Sequence, residues 1–437
     1  MTLAGLAACV AAGCATYTDH IRDASLSTAA GNYEGGLSDL NKVLGVQSTD
    51  ELPDDWSGDR PLAALDRGTL QQALTRYPAS ARDLSGAEQV LELLDMKTDP
   101  VGTLGAYIYS DSVKTYRTPP SERLALNALN LLNYLAVGDL NGAAVEARRF
   151  QVMRDYLDSE SIKADQPARL GTFLAGFVFE RRGEADRALR YYEETLALGP
   201  LPALDPAIVR LTRTNPYRGP HIKEILARNA ANKADPVPPC ELLIVLSLGR
   251  VPHKEPKRIP VGVAVGLAGT FASGDVDWLK YGAGKVVVYP ELVATPSALG
   301  EPEVSVDGGP VRIEPLVDLG ATVRQEYEEA KPKIIAAALT RMAARGGAAE
   351  GIRAAGKQQS SLLGDILAIL FESTMVALDR PDTRSWTMLP NQVLVVRLPV
   401  SPGQHGVEVK FPGGGARNVT ADVPKAGYAV AVVTEPR

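Results

Sequence analysis

The side chains that most often carry out chemistry are sparse in this sequence. Its four histidines, His20, His221, His253 and His405, are each isolated. The sequence has no HExxH zinc motif, GxSxG nucleophile elbow, Walker loop or GxGxxG dinucleotide fingerprint. This pattern predicts a chain with no catalytic residues, no cofactor and no metal site. The alternative is an envelope hydrolase or transferase whose groups converge only in three dimensions, with His253 or His405 beside a carboxylate in a deep cleft.

A glycine-rich run at residues 262–269 is the stretch closest to a phosphate-binding loop. Gly262, Gly266 and Gly269 have the wrong spacing for such a loop, and the interleaved Val and Leu side chains favour a buried strand. The run from Arg258 to Val265 is therefore predicted to be a strand.

Composition and charge exclude several classes of protein. The 437 residues include 46 Lys and Arg against 52 Asp and Glu, for a formal net charge of -6. Binding to nucleic acid needs a concentrated basic patch, and no Lys/Arg-dense tract is present. The length predicts several domains, and nucleic acid is excluded as a partner.

The first sixteen residues are apolar and small and end at a polar run, which is typical of a secretory signal. Two stretches within residues 1–16 resemble the bacterial lipobox, in which a small-residue pattern precedes a cysteine that is lipidated. They end at Cys9 and Cys14, and Cys14 leaves the more usual signal length. We expect lipidation at Cys14, with Cys9 as the alternative. Cys240 has no partner at metal-ligand spacing and is expected to be a free core thiol.

Residues 17–235 are predicted to form a helical domain. Apolar residues recur every three or four positions, as in Leu124, Ala128, Leu131 and Leu135. The helical pattern breaks three times at a glycine that is followed five positions later by a small residue. These pairs are Gly31 and Gly36, Gly138 and Ala143, and Gly183 and Ala188. Such turns are typical of stacked helical hairpins.

The last of these hairpins resembles the tetratricopeptide repeat (TPR). Six residues fall at the positions that the repeat prefers: Gly176, Phe179, Gly183, Ala188, Tyr192 and Pro200. Thr195 departs from the repeat, because it replaces the usual alanine. The second and third turns are 45 residues apart instead of the 34 of a regular repeat. The resemblance implies an irregular TPR-like array; a generic bundle of helical hairpins is the alternative.

Strand patterns follow a proline-rich boundary before Cys240. The sequence predicts a mixed, β-rich domain at 240–320, a helical segment at 321–380 interrupted near Gly346, and a small antiparallel β module at 384–437. The last module resembles the PEGA type in its LPVSPGQHGVEV stretch. The predicted fold class is therefore α+β and multidomain, with the TPR-like helical array first.

Taken together, these pieces resemble a family of uncharacterised bacterial TPR-like lipoproteins. The stretches that carry the likeness are PSERLALNALN at 120–130, LAVGD at 135–139, VEARR at 145–149, VPHK at 251–254, RIP at 258–260, DTRSWTMLP at 382–390 and VRLP at 396–399. The resemblance implies an exported lipoprotein with a helical repeat domain and a β-rich half. It implies no catalytic activity.

Two sets of residues are candidates for binding a partner. Charged and aromatic side chains on the helical array could line a groove for a peptide or a partner carboxylate: Glu122, Arg123, Tyr134, Glu146, Arg148, Arg149, Phe179 and Tyr192. Salt bridges between helices are the alternative for the charged members. Arg384 and Trp386 are a second candidate interface, or else pack at a hinge.

The sequence therefore predicts a non-enzymatic lipoprotein of the cell envelope. It would be periplasmic, anchored to the outer membrane through its N-terminal lipid, and would act as an interaction scaffold or assembly factor. Its partners would be envelope proteins, including other lipoproteins. A structural subunit of an envelope ring or pore complex is a further alternative. The identity of the partner and the oligomeric state remain open.

Overall fold

The chain is α+β, with an array of helices followed by a half rich in strands, which confirms the predicted fold class. A computed structural model describes residues 16–93, 116–159, 165–230, 240–272, 285–297, 299–356, 381–413 and 415–437. The predicted lipidation sites Cys9 and Cys14 lie outside the described residues. So does the last part of the predicted helical segment, residues 357–380.

Eleven α-helices are described before residue 235, and most of them pack against a helix that neighbours them in sequence. They are α1 (Tyr17–His20), α2 (Arg22–Ala29), α3 (Tyr33–Leu44), α4 (Arg60–Ala73), α5 (Tyr77–Glu88), α6 (Pro120–Ala136), α7 (Leu140–Ser159), α8 (Asp165–Arg181), α9 (Ala185–Ala197), α10 (Asp205–Leu211) and α11 (Pro220–Arg228). Two-residue strands β1 (Glu92–Leu93) and β2 (Arg117–Thr118) pair in parallel beside them.

The three predicted turn glycines end helices as expected. Gly31, Gly138 and Gly183 have φ values of 77°, 75° and 78°, in the left-handed region where a side chain would be strained. The small residues after the last two turns, Ala143 and Ala188, are fully buried. Each turn therefore reverses the chain and lets the next helix pack closely against the previous one.

Two glycines inside α8 set its close approach to neighbouring helices. A β-carbon on Gly171 would lie 2.1 Å from the Phe150 ring of α7, and one on Gly176 would lie 2.5 Å from the Tyr192 ring of α9. Neither position has room for a side chain. The contact between Gly176 and Tyr192 joins two positions of the TPR-like pattern.

The second half contains ten further strands. They are β3 (Glu241–Leu248), β4 (His253–Pro260), β5 (Val286–Val293), β6 (Glu303–Val306), β7 (Gly309–Val311), β8 (Glu314–Asp318), β9 (Gln392–Pro399), β10 (Gly403–Phe411), β11 (Gly415–Val423) and β12 (Tyr428–Glu435). Two four-stranded sheets have the orders β12-β3-β9-β8 and β11-β10-β6-β7, and β4 pairs with β5 in a two-stranded sheet.

The strand pairing corrects the predicted division into a β-rich domain at 240–320 and a separate antiparallel module at 384–437. Each four-stranded sheet takes strands from both segments, and β12 runs parallel to β3. The physical reason is that β3 is buried along its whole length and needs partners on both edges. The two segments form one pair of sheets.

The sheets and the helical array make three layers. On β3, Leu243 and Val245 belong to the core shared with the helices. The alternate residues Leu242, Ile244 and Leu246 pack against the second sheet. This alternation explains why β3 is apolar at almost every position, since both of its faces are covered.

The sheet of β4 and β5 belongs to a third unit, which we call the arm. It also contains helices α12 (Val261–Ala268) and α13 (Leu319–Gly356), with its own apolar core that includes Ile259, Val287 and Leu339. Two predictions are wrong here. The run to Val265 becomes helical after Pro260, where Val261 begins α12, and α13 continues through the glycines predicted to interrupt it.

Candidate functional site

The structure does not assemble the eight predicted groove residues into an open groove. The side chains of Phe179 and Tyr192 face the core and are at most 1% exposed. Glu122 and Glu146 are also buried. Apolar and aromatic residues at helical spacing fill the interior of the array, and a sequence pattern cannot separate that role from a binding role. Of the set, Arg148 and Arg149 lie on the exposed surface.

Two of the charged members, Arg123 and Arg149, join their helices to α5. Arg149 Nη1 lies 2.9 Å from Glu146 and 3.3 Å from Glu88 of α5, and Arg123 Nη2 lies 3.4 Å from Glu88. Burial raises the pKa of Glu146, with a further contribution from the negative charge of Glu88. Burial likewise lowers the pKa of Arg123. The alternative of salt bridges between helices therefore describes these residues.

The outward face of α7 is the part of the predicted site that a partner could reach. Its solvent-facing positions recur at intervals of three and four residues, with two cations between apolar side chains and one carboxylate beyond them: Asn141, Val145, Arg148, Arg149, Val152, Asp155, Tyr156 and Ser159. Val152 is 70% exposed, Val145 is 43% exposed and Tyr156 is 41% exposed. We call this surface the α7 outer face.

Arg384 and Trp386 lie at an interface within the molecule. The segment 382–389 crosses the helical array, and Trp386 is fully buried. Its backbone N–H donates to Glu122 at 2.9 Å, and its indole N–H donates to Thr69 at 3.2 Å. Arg384 donates to Asp382 within the same segment. Arg384 and Trp386 therefore pack within the molecule, which is the alternative to an interface with a partner.

Asp66 of α4 is the second carboxylate that holds this segment. It accepts hydrogen bonds from Met388 N at 2.7 Å, from the Thr387 hydroxyl at 2.8 Å and from the Tyr17 hydroxyl at 2.6 Å. Burial raises the pKa of Asp66 to about 7, and the nearby negative charge of Glu122 also raises it. The three hydrogen bonds act in the opposite direction and lower it. Sequence reasoning missed Asp66, since a lone acidic residue in a helix carries no motif.

A second buried cluster, also missed, joins the helical array to the sheets. Arg397 of β9 lies 2.6 Å from Glu180 of α8, and it also forms an ion pair with Glu241 of β3. Arg181 contacts both carboxylates. Burial and the neighbouring positive charge of Arg397 lower the pKa of Arg181 to about 10. We call Glu180, Arg181, Glu241 and Arg397 the joint cluster.

The histidines lie in separate places, and each contacts a carboxylate. The pairs are His20 with Asp59 at 2.8 Å, His221 with Glu193 at 2.8 Å, His253 with Glu255 at 3.2 Å and His405 with Asp307 at 2.7 Å. His405 uses its other ring nitrogen to contact Ser401 O at 2.7 Å, and Asp307 also accepts from Gly406 N. The hydrogen bond to Asp307 raises the pKa of His405. This ring therefore ties two turns of the second sheet together.

Metal sites and membrane spans have geometric signatures of their own. Among the described residues, no group of three or more His, Cys, Asp or Glu side chains is arranged to hold a metal ion. In that same part of the chain, no helix combines the length and the apolar character needed to cross a membrane. Cys240 is buried and unpaired as a thiol, as predicted.

Comparison with known proteins adds little to this geometry. No family model and no curated protein matches the chain. Among solved structures, the crystal structure of MamA protein covers 51% of this chain and 98% of its own, at 13% identity and a TM-score of 0.27. A likeness at that score supports no argument about fold or function, so the contacts within the chain carry the reasoning below.

Proposed function

We infer that this protein is a non-enzymatic lipoprotein of the cell envelope that acts as a protein-interaction scaffold or assembly factor. It is periplasmic and held to the outer membrane through a lipid on Cys14. The observation that carries the scaffold role is the α7 outer face, where Val145, Val152 and Tyr156 are exposed on a helix whose other side is fully packed. The resemblance of residues 1–16 to a lipobox supports the anchor.

The chemistry of the α7 outer face selects the partner. Arg148 lies between the apolar side chains and can form paired hydrogen bonds with a partner carboxylate, whereas Arg149 beside it already pairs with Glu146 and Glu88. A partner segment that presents apolar residues together with Asp or Glu would match both features. Helical arrays suit this role because their packed helices hold such a surface rigid.

Site-specific photo-crosslinking in intact cells tests this function. A photoreactive amino acid replaces Val152 on the α7 outer face and, in a control chain, replaces Leu26 on α2, which is 63% exposed. We expect a defined protein adduct from position 152 and none from position 26. Arg148→Glu should remove the adduct because it reverses the charge of the surface, whereas Arg22→Glu beside the control position should not. Equal adducts from both positions, or none from position 152, would contradict the scaffold role.

The same cells test the anchor through labelling with palmitate. Cys14→Ala should abolish the label, release the protein from the membrane and weaken the adduct at position 152. Loss of the label in Cys9→Ala alone would move the anchor to Cys9. If the wild-type protein carries no palmitate label, the lipoprotein assignment is contradicted.

A further inference from the structure

The arm exposes apolar surface on α12. The inner side of this helix packs Ala264 and Ala268 against α13, and both are fully buried. The outer side bears Val263, 50% exposed, and Leu267, 44% exposed, and is followed by Phe271, 48% exposed. Val263 and Leu267 are four residues apart and share one side of the helix. Phe271 lies in the 3-10 turn Gly269–Ala272 that follows the helix. We call these three residues the α12 ridge.

The ridge has no cover among the described residues. Gly262 and Gly266 also lie on the outer side, and a β-carbon on either would find no atom within 4 Å. From Pro256 to Ala272 the sequence contains no Asp or Glu. An uncharged, apolar helix side that faces solvent is unusual in a protein of this size, since such surfaces commonly mark a contact.

Cations flank the ridge at its two ends. At the far end, Lys333 of α13 places its ammonium 5.8 Å from the centre of the Phe271 ring. At the near end, Arg258 is exposed three residues before Val261. The surface therefore combines apolar side chains with positive charge and lacks negative charge along the helix.

The size of the ridge decides between a protein and a lipid occupant. A helix of eight residues is about 12 Å long, and a stable protein interface needs roughly 800 Å² from each partner. A bilayer surface needs no matching shape: apolar side chains enter the boundary of the acyl region while Lys and Arg meet anionic headgroups.

We propose that the α12 ridge docks the arm on an anionic lipid bilayer surface. The helix lies in the plane of the interface, with Val263, Leu267 and Phe271 directed into the acyl boundary and Lys333 and Arg258 at the headgroups. This contact is additional to the N-terminal lipid, and it uses a different surface from the α7 outer face.

Vesicle binding by the full chain, purified without acyl groups, tests the proposal. The probes are sucrose-loaded vesicles of phosphatidylcholine and phosphatidylglycerol at about 3:1, with pure phosphatidylcholine as the neutral reference. Leu267→Glu should lower the affinity for the anionic vesicles at least about tenfold, because it places a charge at the centre of the ridge. Leu26→Glu is the matched control on a more exposed leucine and should change the affinity less than about twofold. Residues 1–16 are common to all chains, so their contribution cancels.

Two further measurements separate the lipid from other occupants. Lys333→Glu should weaken binding to anionic vesicles and leave the weak binding to neutral vesicles unchanged. Wild-type binding by Leu267→Glu would overturn the proposal. Analytical ultracentrifugation tests for a second copy of the chain as the occupant. If Leu267→Glu converts a dimer to a monomer and leaves vesicle binding unchanged, the proposal is overturned, because the ridge then binds another copy of the chain. Photo-adducts at position 152 should persist in Leu267→Glu, which keeps this test independent of the scaffold role.

Discussion

In the joint between helices and sheets, charged side chains are buried, whereas in the arm apolar side chains are exposed. The joint cluster holds Glu180 and Arg397 with only 3% and 2% of their side chains exposed. On the α12 ridge, Val263 and Leu267 are about half exposed, with no charged residue on the helix. Both arrangements run against the usual distribution of side chains.

The difference shows which charged or apolar surface packs inside the molecule and which one a binding partner can reach. The joint cluster satisfies its charges through contacts between α8, β3 and β9, so its role ends within the molecule. On the outer side of α12, a β-carbon at Gly262 or Gly266 would find no atom within 4 Å. Substitutions in the joint should therefore lower the stability of the fold, and substitutions on the ridge should leave it unchanged while altering binding.

The largest expected effect is the loss of Arg397. Arg397→Met keeps most of the side-chain volume but removes the hydrogen bonds that Arg397 donates to Glu180, Glu241 and the Tyr192 hydroxyl inside the molecule. Arg181 and Arg210 remain as cations beside the two carboxylates but do not replace those buried hydrogen bonds. We expect the free energy of unfolding to fall by roughly 3 kcal/mol. Urea unfolding followed by circular dichroism measures this change.

A matched control separates this effect from the general loss of an arginine. Arg187 of α9 is 54% exposed and pairs with Glu184 at the surface. Arg187→Met should change the free energy of unfolding by less than about 0.5 kcal/mol. Equal losses in the two variants would show that the joint cluster contributes no more than a surface ion pair.

A smaller effect, and one that depends on pH, is expected at Asp66. Its folded pKa of about 7 lies above the ordinary aspartate value of 3.8, so the folded state retains a proton that the unfolded state releases. Stability from this group is complete below pH 4 and is lost as the pH rises to about 7. Asp66→Asn removes the charge and can still accept from Met388 N. It should therefore be more stable than the wild type at pH 8, by about 1 to 4 kcal/mol.

The gain in Asp66→Asn should shrink when unfolding is measured at pH 5, where the folded wild type already holds the proton. Asp50 is 89% exposed, so Asp50→Asn should show no such dependence. A gain that is the same at both pH values would mean that ionisation of Asp66 does not destabilise the fold. The charges of Glu122 and Arg250 and the hydrogen bond from Tyr17 also act on Asp66.

Local sequence patterns predicted the elements of the fold better than their assembly. The turn at Gly183 and the strand beginning at Glu241 follow from backbone preference and apolar periodicity, which are local. The parallel pairing of β12 with β3 joins residues almost two hundred positions apart, and no local signal encodes it. The helix that starts at Val261 was missed because a short apolar run fits a strand equally well.

The candidate site shows the same limit more sharply. Arg148 and Arg149 were found because they stand in a charge-rich helical stretch, whereas Arg397 is a single charged residue in an apolar strand and Asp66, followed by Arg67, stands in a mostly apolar helix. Their partners, Glu180 and Met388, come from distant parts of the chain. Only tertiary contacts show that Trp386 fills the interior, since an exposed anchor and a core residue have the same sequence signature.

The smallest expected effect lies on the ridge, and it completes the comparison. Leu267→Ser removes an exposed apolar side chain, so the free energy of unfolding should change by less than about 0.5 kcal/mol. Leu246→Ser, at a fully buried position of β3, should cost at least about 2 kcal/mol in the same urea unfolding measurement. A large loss in Leu267→Ser would show that the ridge packs against the protein itself. An unchanged stability together with weaker vesicle binding means instead that the exposed leucine acts on an external surface.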